Sequence, residues 1–100
     1  MIWSEPAKED LKNIFDYIAA DSKYYAMKVS QEFVEKSEQL GKFPMIGRIV
    51  PELEDSNIRE LIIYSYRLIY GISNKRIEIL AIIHGKQDFS RAFDKTKKKN

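Results

Sequence analysis

Apolar residues fall at helical spacing through the first third of the chain. Ala7, Leu11, Ile14, Phe15 and Ile18 share one face, while Lys8, Glu9, Lys12, Asn13 and Asp16 fill the opposite one, so the spacing predicts an amphipathic helix. Ser4 or Glu5 ahead of Pro6 marks its start, because proline is pre-organised for a first helical turn and loses no hydrogen bond there. Ala19-Ala20-Asp21-Ser22 interrupts the pattern, with Asp21 or Ser22 as the cap of a second helix. That helix carries Tyr25, Ala26, Val29, Phe33, Ser37 and Leu40 on one face and stops at Gly41, with Pro44 shortly after. A connection this short predicts an antiparallel helix hairpin, whose apolar stripe needs a cover.

The second half of the chain changes period. Three runs rich in Ile, Leu and Tyr, at 58–63, 66–72 and 76–83, are separated by Tyr64-Ser65 and Ser73-Asn74-Lys75 and read as an antiparallel meander. Strict alternation along the last run turns Ile77, Ile79, Ala81 and Ile83 one way and Leu80 and Ile82 the other, which predicts an interior strand. Residues 1–4 are short and β-prone, consistent with an edge or flanking strand. From Lys42 to Asn57 no periodicity survives, and Pro44, Gly47 and Pro51 break up the backbone. The simplest reading of that stretch is a crossover from hairpin to sheet, the alternative a functional loop. The expected class is α+β: an N-terminal strand and an antiparallel helix hairpin packed on a mainly antiparallel sheet.

Length and composition narrow the picture. One hundred residues suffice for a single domain with one modest core. Cysteine is absent and histidine occurs once, which leaves no disulfide framework, no thiolate chemistry and no histidine-based metal site. No basic, then apolar, leader opens the chain, and no window approaches the roughly 20 apolar residues of a membrane span, so the expectation is a soluble, cytoplasmic protein without cofactors. The net charge is +2, but Lys95, Lys97, Lys98 and Lys99 supply much of the excess. We therefore expect residues 1–89 to form the domain and 90–100 a lysine-rich tail, disordered at its end. Without that tail the body is close to neutral, which weakens a general case for nucleic-acid binding.

Candidate chemistry lies on the meander. Alternation sets Arg67 and Ile69 on one face of their strand, and Tyr66, Leu68, Tyr70 and Ile72 on the other. If the tyrosine-rich face meets the helices, Arg67 looks outward, and Arg59, Arg67, His84 and Lys86 can line one cationic patch with Glu52 or Glu54 arriving from the loop. Such a set suits phosphoryl chemistry, a histidine or carboxylate moving a proton and arginines stabilising phosphate charge. The competing reading makes His84 a structural residue at a strand end, the arginines ordinary surface side chains and the tyrosines packing groups.

Several of these stretches, in order, resemble one known group. Glu5-Pro6-Ala7-Lys8-Glu9-Asp10-Leu11, with Ile14 and Tyr17-Ile18 behind it, is similar to the first helix of RelE/ParE superfamily toxins of type II toxin–antitoxin systems. Phe43-Pro44-Met45-Ile46-Gly47-Arg48 resembles their element after the helices, and Ile58-Arg59-Glu60-Leu61 their first sheet strand. Tyr66-Arg67-Leu68-Ile69-Tyr70 and the run from Ile77 to His84-Gly85 resemble the two strands that follow. Over residues 2–89 the resemblance implies a strand, a helix hairpin and a three-stranded antiparallel meander. It also implies a cognate antitoxin whose C-terminal segment folds onto the toxin.

The superfamily divides by target. RelE-like members cut mRNA on the ribosome, and ParE-like members, of the plasmid stabilisation type, are associated with inhibition of DNA gyrase. Ribonuclease members often use a tyrosine or a His-Tyr pair near the C-terminus, whereas here no tyrosine follows Tyr70 and His84 precedes Gly85. That, with Asp88, places the resemblance on the ParE side. Gln87 departs from it, standing where ParE-like chains commonly carry a basic residue. On the ParE reading Arg59, Arg67, His84 and Lys86 are target-binding candidates and none is catalytic; on the RelE alternative Arg67 and His84 are catalytic. A third alternative is a non-toxic member that retains antitoxin binding.

Overall fold

A computed structural model describes residues 2–74 and 76–98, and side chains as far as Phe93. In chain order the elements are β1 (Ile2–Trp3), α1 (Glu5–Ala19), α2 (Lys23–Gln39), β2 (Arg48–Ile49), β3 (Ile58–Ile63), β4 (Tyr66–Ser73), β5 (Arg76–His84) and α3 (Phe89–Lys98). The five strands form one mixed sheet in the order β1-β5-β4-β3-β2, with β1 parallel to β5 and every other pair antiparallel. The helix hairpin covers one face of this sheet and α3 covers part of the other.

Local chemistry explains the helix boundaries. Ser4 caps α1, its Oγ accepting the Ala7 N–H at 3.2 Å, and Pro6 sits in the first turn. Ser22, rather than Asp21, caps α2 by accepting the Tyr25 N–H at 3.2 Å. α2 ends at Leu40 ahead of Gly41, which does not adopt a positive φ. The hairpin turns of the meander instead use left-handed non-glycine residues, Tyr64 at φ 55° and Asn74 at φ 48°. Lys75, assigned to the second turn, lies outside the described residues.

The core has two layers because the sheet is buried on both faces. Ala7, Phe33, Leu40, Leu68, Tyr70, Ile77, Ile79 and Ile82 pack between hairpin and sheet. Val50, Ile69, Ala81 and Ile83 pack on the outer face under Phe89 and Phe93 of α3. This arrangement corrects the strict alternation expected along β5. Ile69 pairs with Ala81 and Tyr70 with Ile79, so Leu80 is an extra residue, a β-bulge. Beyond it the faces swap: Ile77, Ile79 and Ile82 meet the helices, and Ala81 and Ile83 turn outward.

The bulge is tied to the start of α1. The Ser4 hydroxyl donates to the Leu80 carbonyl at 3.1 Å, the Ser4 N–H donates to the Ile79 carbonyl at 2.9 Å, and Asp10 Oδ2 accepts the Ile82 N–H at 3.0 Å. Backbone groups near the disrupted ladder thus find partners on the neighbouring helix rather than going unpaired.

Two elements were not expected. β2 breaks the stretch read as an unstructured crossover; two residues are too few to show a period. From Phe89 the chain is helical to Lys98, where a tail had been expected, and Phe93 is buried while stacked on Phe89 with ring centroids 5.3 Å apart. The disorder expected at the chain's end falls on residues 99–100, outside the described residues.

Candidate functional site

Three of the four cations considered from sequence are fixed by the strand registers. β4 points Arg67 to the outer face, as alternation predicted, but there it meets two carboxylates. Its Nε donates to Glu60 Oε1 at 2.6 Å, and its two terminal nitrogens donate to Glu52 at 2.9 and 2.7 Å. Glu60, on β3 directly opposite Arg48 of β2, also accepts from the Arg48 Nε. An alternating line Arg48–Glu60–Arg67–Glu52 results, with two positive and two negative charges. Glu60 is buried, so its charge has to be balanced inside the protein, and two guanidinium groups do so with charge-assisted bonds.

This environment acts on both members of the Arg67–Glu52 pair. Hydrogen bonds from Arg67 hold the Glu52 carboxyl below the usual carboxylate range, and the two carboxylates raise Arg67 above its ordinary value. The Arg67 guanidinium also lies 4.7 Å from the centroid of the Phe89 ring, which places α3 over the network. Of the two loop carboxylates, Glu52 joins Arg67; Glu54 is exposed in a left-handed conformation at φ 52°.

His84 occupies the other side of the sheet. It pairs with Tyr66, whose ring meets the imidazole edge-on with centroids 5.2 Å apart, and Tyr66 packs in turn on Phe33 of α2 at 5.7 Å. The Nδ1 of His84 accepts the Lys86 N–H at 3.1 Å, which places the neutral ring's proton on Nε2. A β-carbon on Gly85 would lie 3.2 Å from the Ser65 carbonyl, to which the Gly85 N–H donates at 2.8 Å. The His84-Gly85 pair thus fits a tight crossing of two turns, and Lys86 lies exposed beyond it.

Arg59 also leaves Arg67. It pairs with Tyr70 on the hairpin side of the sheet, and its guanidinium donates to the carbonyls of Gly47 at 2.9 Å and Ser56 at 3.1 Å. The four cations therefore do not form one patch: Arg67 is on the outer face, His84 and Arg59 are on the other, at different positions along the strands, and Lys86 is on a turn. Successive residues on a strand face opposite ways, so Tyr66 and Arg67 carry their neighbours His84 and Ile83 to opposite faces.

The loop after α2 holds a site that sequence reasoning missed. The hydroxyl of the fully buried Tyr70 donates to the Pro44 carbonyl at 2.7 Å and accepts the Gly47 N–H at 2.9 Å. Gly47 cannot be larger, because a β-carbon there would stand 2.6 Å from both the Glu60 carbonyl and the Tyr70 hydroxyl. Held this way, Phe43, Met45 and Ile46 stay exposed around an open depression of about 540 Å³. Glu60 was missed as well; its signal is a lone carboxylate inside the apolar run RELII. Among the described residues no group of acidic, histidine or cysteine side chains is arranged to hold a metal, and no helix is long and apolar enough to cross a membrane.

Comparison with known proteins assigns this arrangement. A solved chain from the chromosomal ParDE TA system of P. aeruginosa superposes with a TM-score of 0.68 at 27% sequence identity, over 82% of this chain and 90% of that one. No curated protein matches the chain. Residues 1–89 match the family model described as the ParE toxin of the type II toxin-antitoxin system parDE, and with that coverage the chain belongs to the ParE toxin family.

Proposed function

We propose that this protein is a cytoplasmic growth-inhibiting toxin of the plasmid stabilisation type, that it acts by binding DNA gyrase, and that a cognate antitoxin neutralises it. One observation carries the choice of binding over RNA cleavage: Arg67 and His84 stand on opposite faces of the sheet. A ribonuclease needs a proton-transfer group and a charge-stabilising group on the same phosphate. Here the arginine is held by Glu52 and Glu60 and the imidazole is engaged by Tyr66 and the Lys86 amide. Membership of the ParE toxin family supports the gyrase reading.

The ParDE neighbour supports an antitoxin partner, and the surface offers a place for it. An open groove of about 670 Å³ runs along the hairpin, lined by Ile2, Trp3, Leu11, Phe15 and Val34 together with Lys8 and Lys12, which pair loosely with the exposed Glu5 and Asp16. The Ser30 hydroxyl, buried without a hydrogen-bond partner among the described residues, also lines it. An apolar segment, folding as it binds, suits such a groove. Arg59 and Lys86 remain candidate target contacts, since neither is paired with a carboxylate among the described residues.

Inducing the protein alone and measuring plasmid supercoiling and transcript integrity in the same culture tests this. Growth arrest with lost supercoiling and intact mRNA is expected. Cleaved transcripts with normal supercoiling would sink the proposal, as would continued full growth, which marks a non-toxic member that only binds antitoxin.

A further inference from the structure

We propose that the loop at 42–46 is the toxin's docking element for its target, and that the partner is a protein presenting an apolar depression rimmed by carboxylates. This rests on the reading that the toxin acts by binding a protein. Phe43, Met45 and Ile46 are 60, 62 and 54% exposed, three large apolar side chains within four residues. Scattered single apolar residues on a surface need no explanation, whereas a contiguous group does.

The loop is also built to hold them. Tyr70 grips it at Pro44 and Gly47, Arg59 holds the Gly47 carbonyl, and the Ile46 N–H donates back to Phe43 at 3.1 Å. A segment fixed in this way loses little conformational freedom when it binds. Nothing in the fold itself requires the three side chains to be displayed, because the anchoring bonds use only backbone groups of the loop.

Charge identifies the partner. Lys42 lines the same depression, and Arg59 beside it donates only to carbonyls, so among the described residues neither cation has a carboxylate partner. An apolar patch flanked by uncompensated positive charge complements an apolar surface edged with Asp or Glu. The hairpin groove shares no residue with this loop, so antitoxin and target can use separate surfaces.

The test compares wild-type protein with Phe43→Ser/Ile46→Ser and with Lys42→Glu, all at exposed positions that leave the core intact. Each is assayed for inhibition of purified DNA gyrase, growth arrest on induction, affinity for the cognate antitoxin and binding to vesicles of phosphatidylcholine with phosphatidylglycerol. The double variant should need about tenfold more protein to inhibit, as expected for loss of apolar anchors at the centre of an interface. It should also relieve arrest while binding antitoxin within twofold of wild type. Lys42→Glu should weaken inhibition less, with a smaller salt dependence.

Undiminished arrest by the double variant overturns the proposal. So does a loss of antitoxin affinity equal to the loss of inhibition, or wild-type vesicle binding that the double variant abolishes. If wild-type protein arrests growth yet leaves gyrase active, the gyrase reading fails by itself, and the arrest assay still decides whether the loop docks the target. Wild-type protein that neither arrests growth nor inhibits gyrase overturns both.

Discussion

Replacing Tyr70 with phenylalanine removes one oxygen atom and tests how the loop is held. The ring is fully buried and keeps its place, so the loss is confined to the hydroxyl and its two bonds, to the Pro44 carbonyl and from the Gly47 N–H. A typical internal hydrogen bond contributes about 1 kcal/mol net, and a buried donor left without a partner costs a further 1 to 3 kcal/mol or so. Pro44 is on the more accessible side and can take a water; Gly47 is closed in by Glu60 and Tyr70. We expect a loss of about 2–4 kcal/mol, large against the roughly 5–15 kcal/mol that holds a domain of this size together.

Urea unfolding followed by far-ultraviolet circular dichroism gives the total, with an unchanged m-value showing that only stability moved. Exchange of the Gly47 amide gives the local part, and it should speed up more than amides of β4 and β5. A loss under about 0.5 kcal/mol together with an unchanged Gly47 exchange rate would refute the reasoning, since a surface change of no structural meaning has that size. Gly47→Ala serves as the converse. It keeps the hydroxyl but forces a β-carbon to 2.6 Å from two oxygens, and should destabilise the protein at least as much.

Other expectations follow from the same geometry. Phe93→Ala empties a buried position beneath α3 and should cost about 3 kcal/mol or more in urea unfolding, whereas a solvated tail would leave stability unchanged. Deleting Leu80 removes the extra residue and leaves a regular ladder in which Ile69 still pairs with Ala81 and Tyr70 with Ile79, so Ile77, Ile79 and Ile82 keep the helix-facing side; the variant should retain the dispersed amide spectrum of the folded protein. Because Arg67 lowers the Glu52 pKa from 4.5, the stability that this carboxylate contributes is present above that pH and fades as pH falls through the lowered value. Glu52→Gln should flatten that part of the acid profile, by no more than about 1 kcal/mol because the pair is partly solvated. Burial raises the Tyr70 pKa above 10, so its contribution persists below pH 10 and fades as pH rises through the raised value; ultraviolet titration should show a late-ionising phenol that Tyr70→Phe removes.

Much of the architecture is legible in the chain alone. The 3.6-residue period of α1 and α2, their starts to within a residue of Ser4 and Ser22, the limits of β3, those of β4 to within a residue and the outward direction of Arg67 all follow from local chemistry, because each depends on neighbours within a few residues. The ordered matches from the first helix to His84-Gly85 likewise reached the family. Tertiary structure decided the rest. Whether β5 alternates strictly depends on Ser4 and Asp10, more than 70 residues away, which supply partners where Leu80 disrupts the ladder. Whether residues 89–98 trail or pack depends on an outer sheet face that must be covered, by Phe89 and Phe93.

The fate of the cations shows the same division. Sequence established that Arg59 and Arg67 lie on neighbouring strands and that His84 and Lys86 follow the last one; only the registers could say that Arg67 meets Glu52 and Glu60 while His84 and Arg59 lie on the other face. Side-chain direction is a local property with a period of two, but ion pairing and shared surfaces are properties of distance in space. Distances of that kind arise only when separate strands are laid side by side.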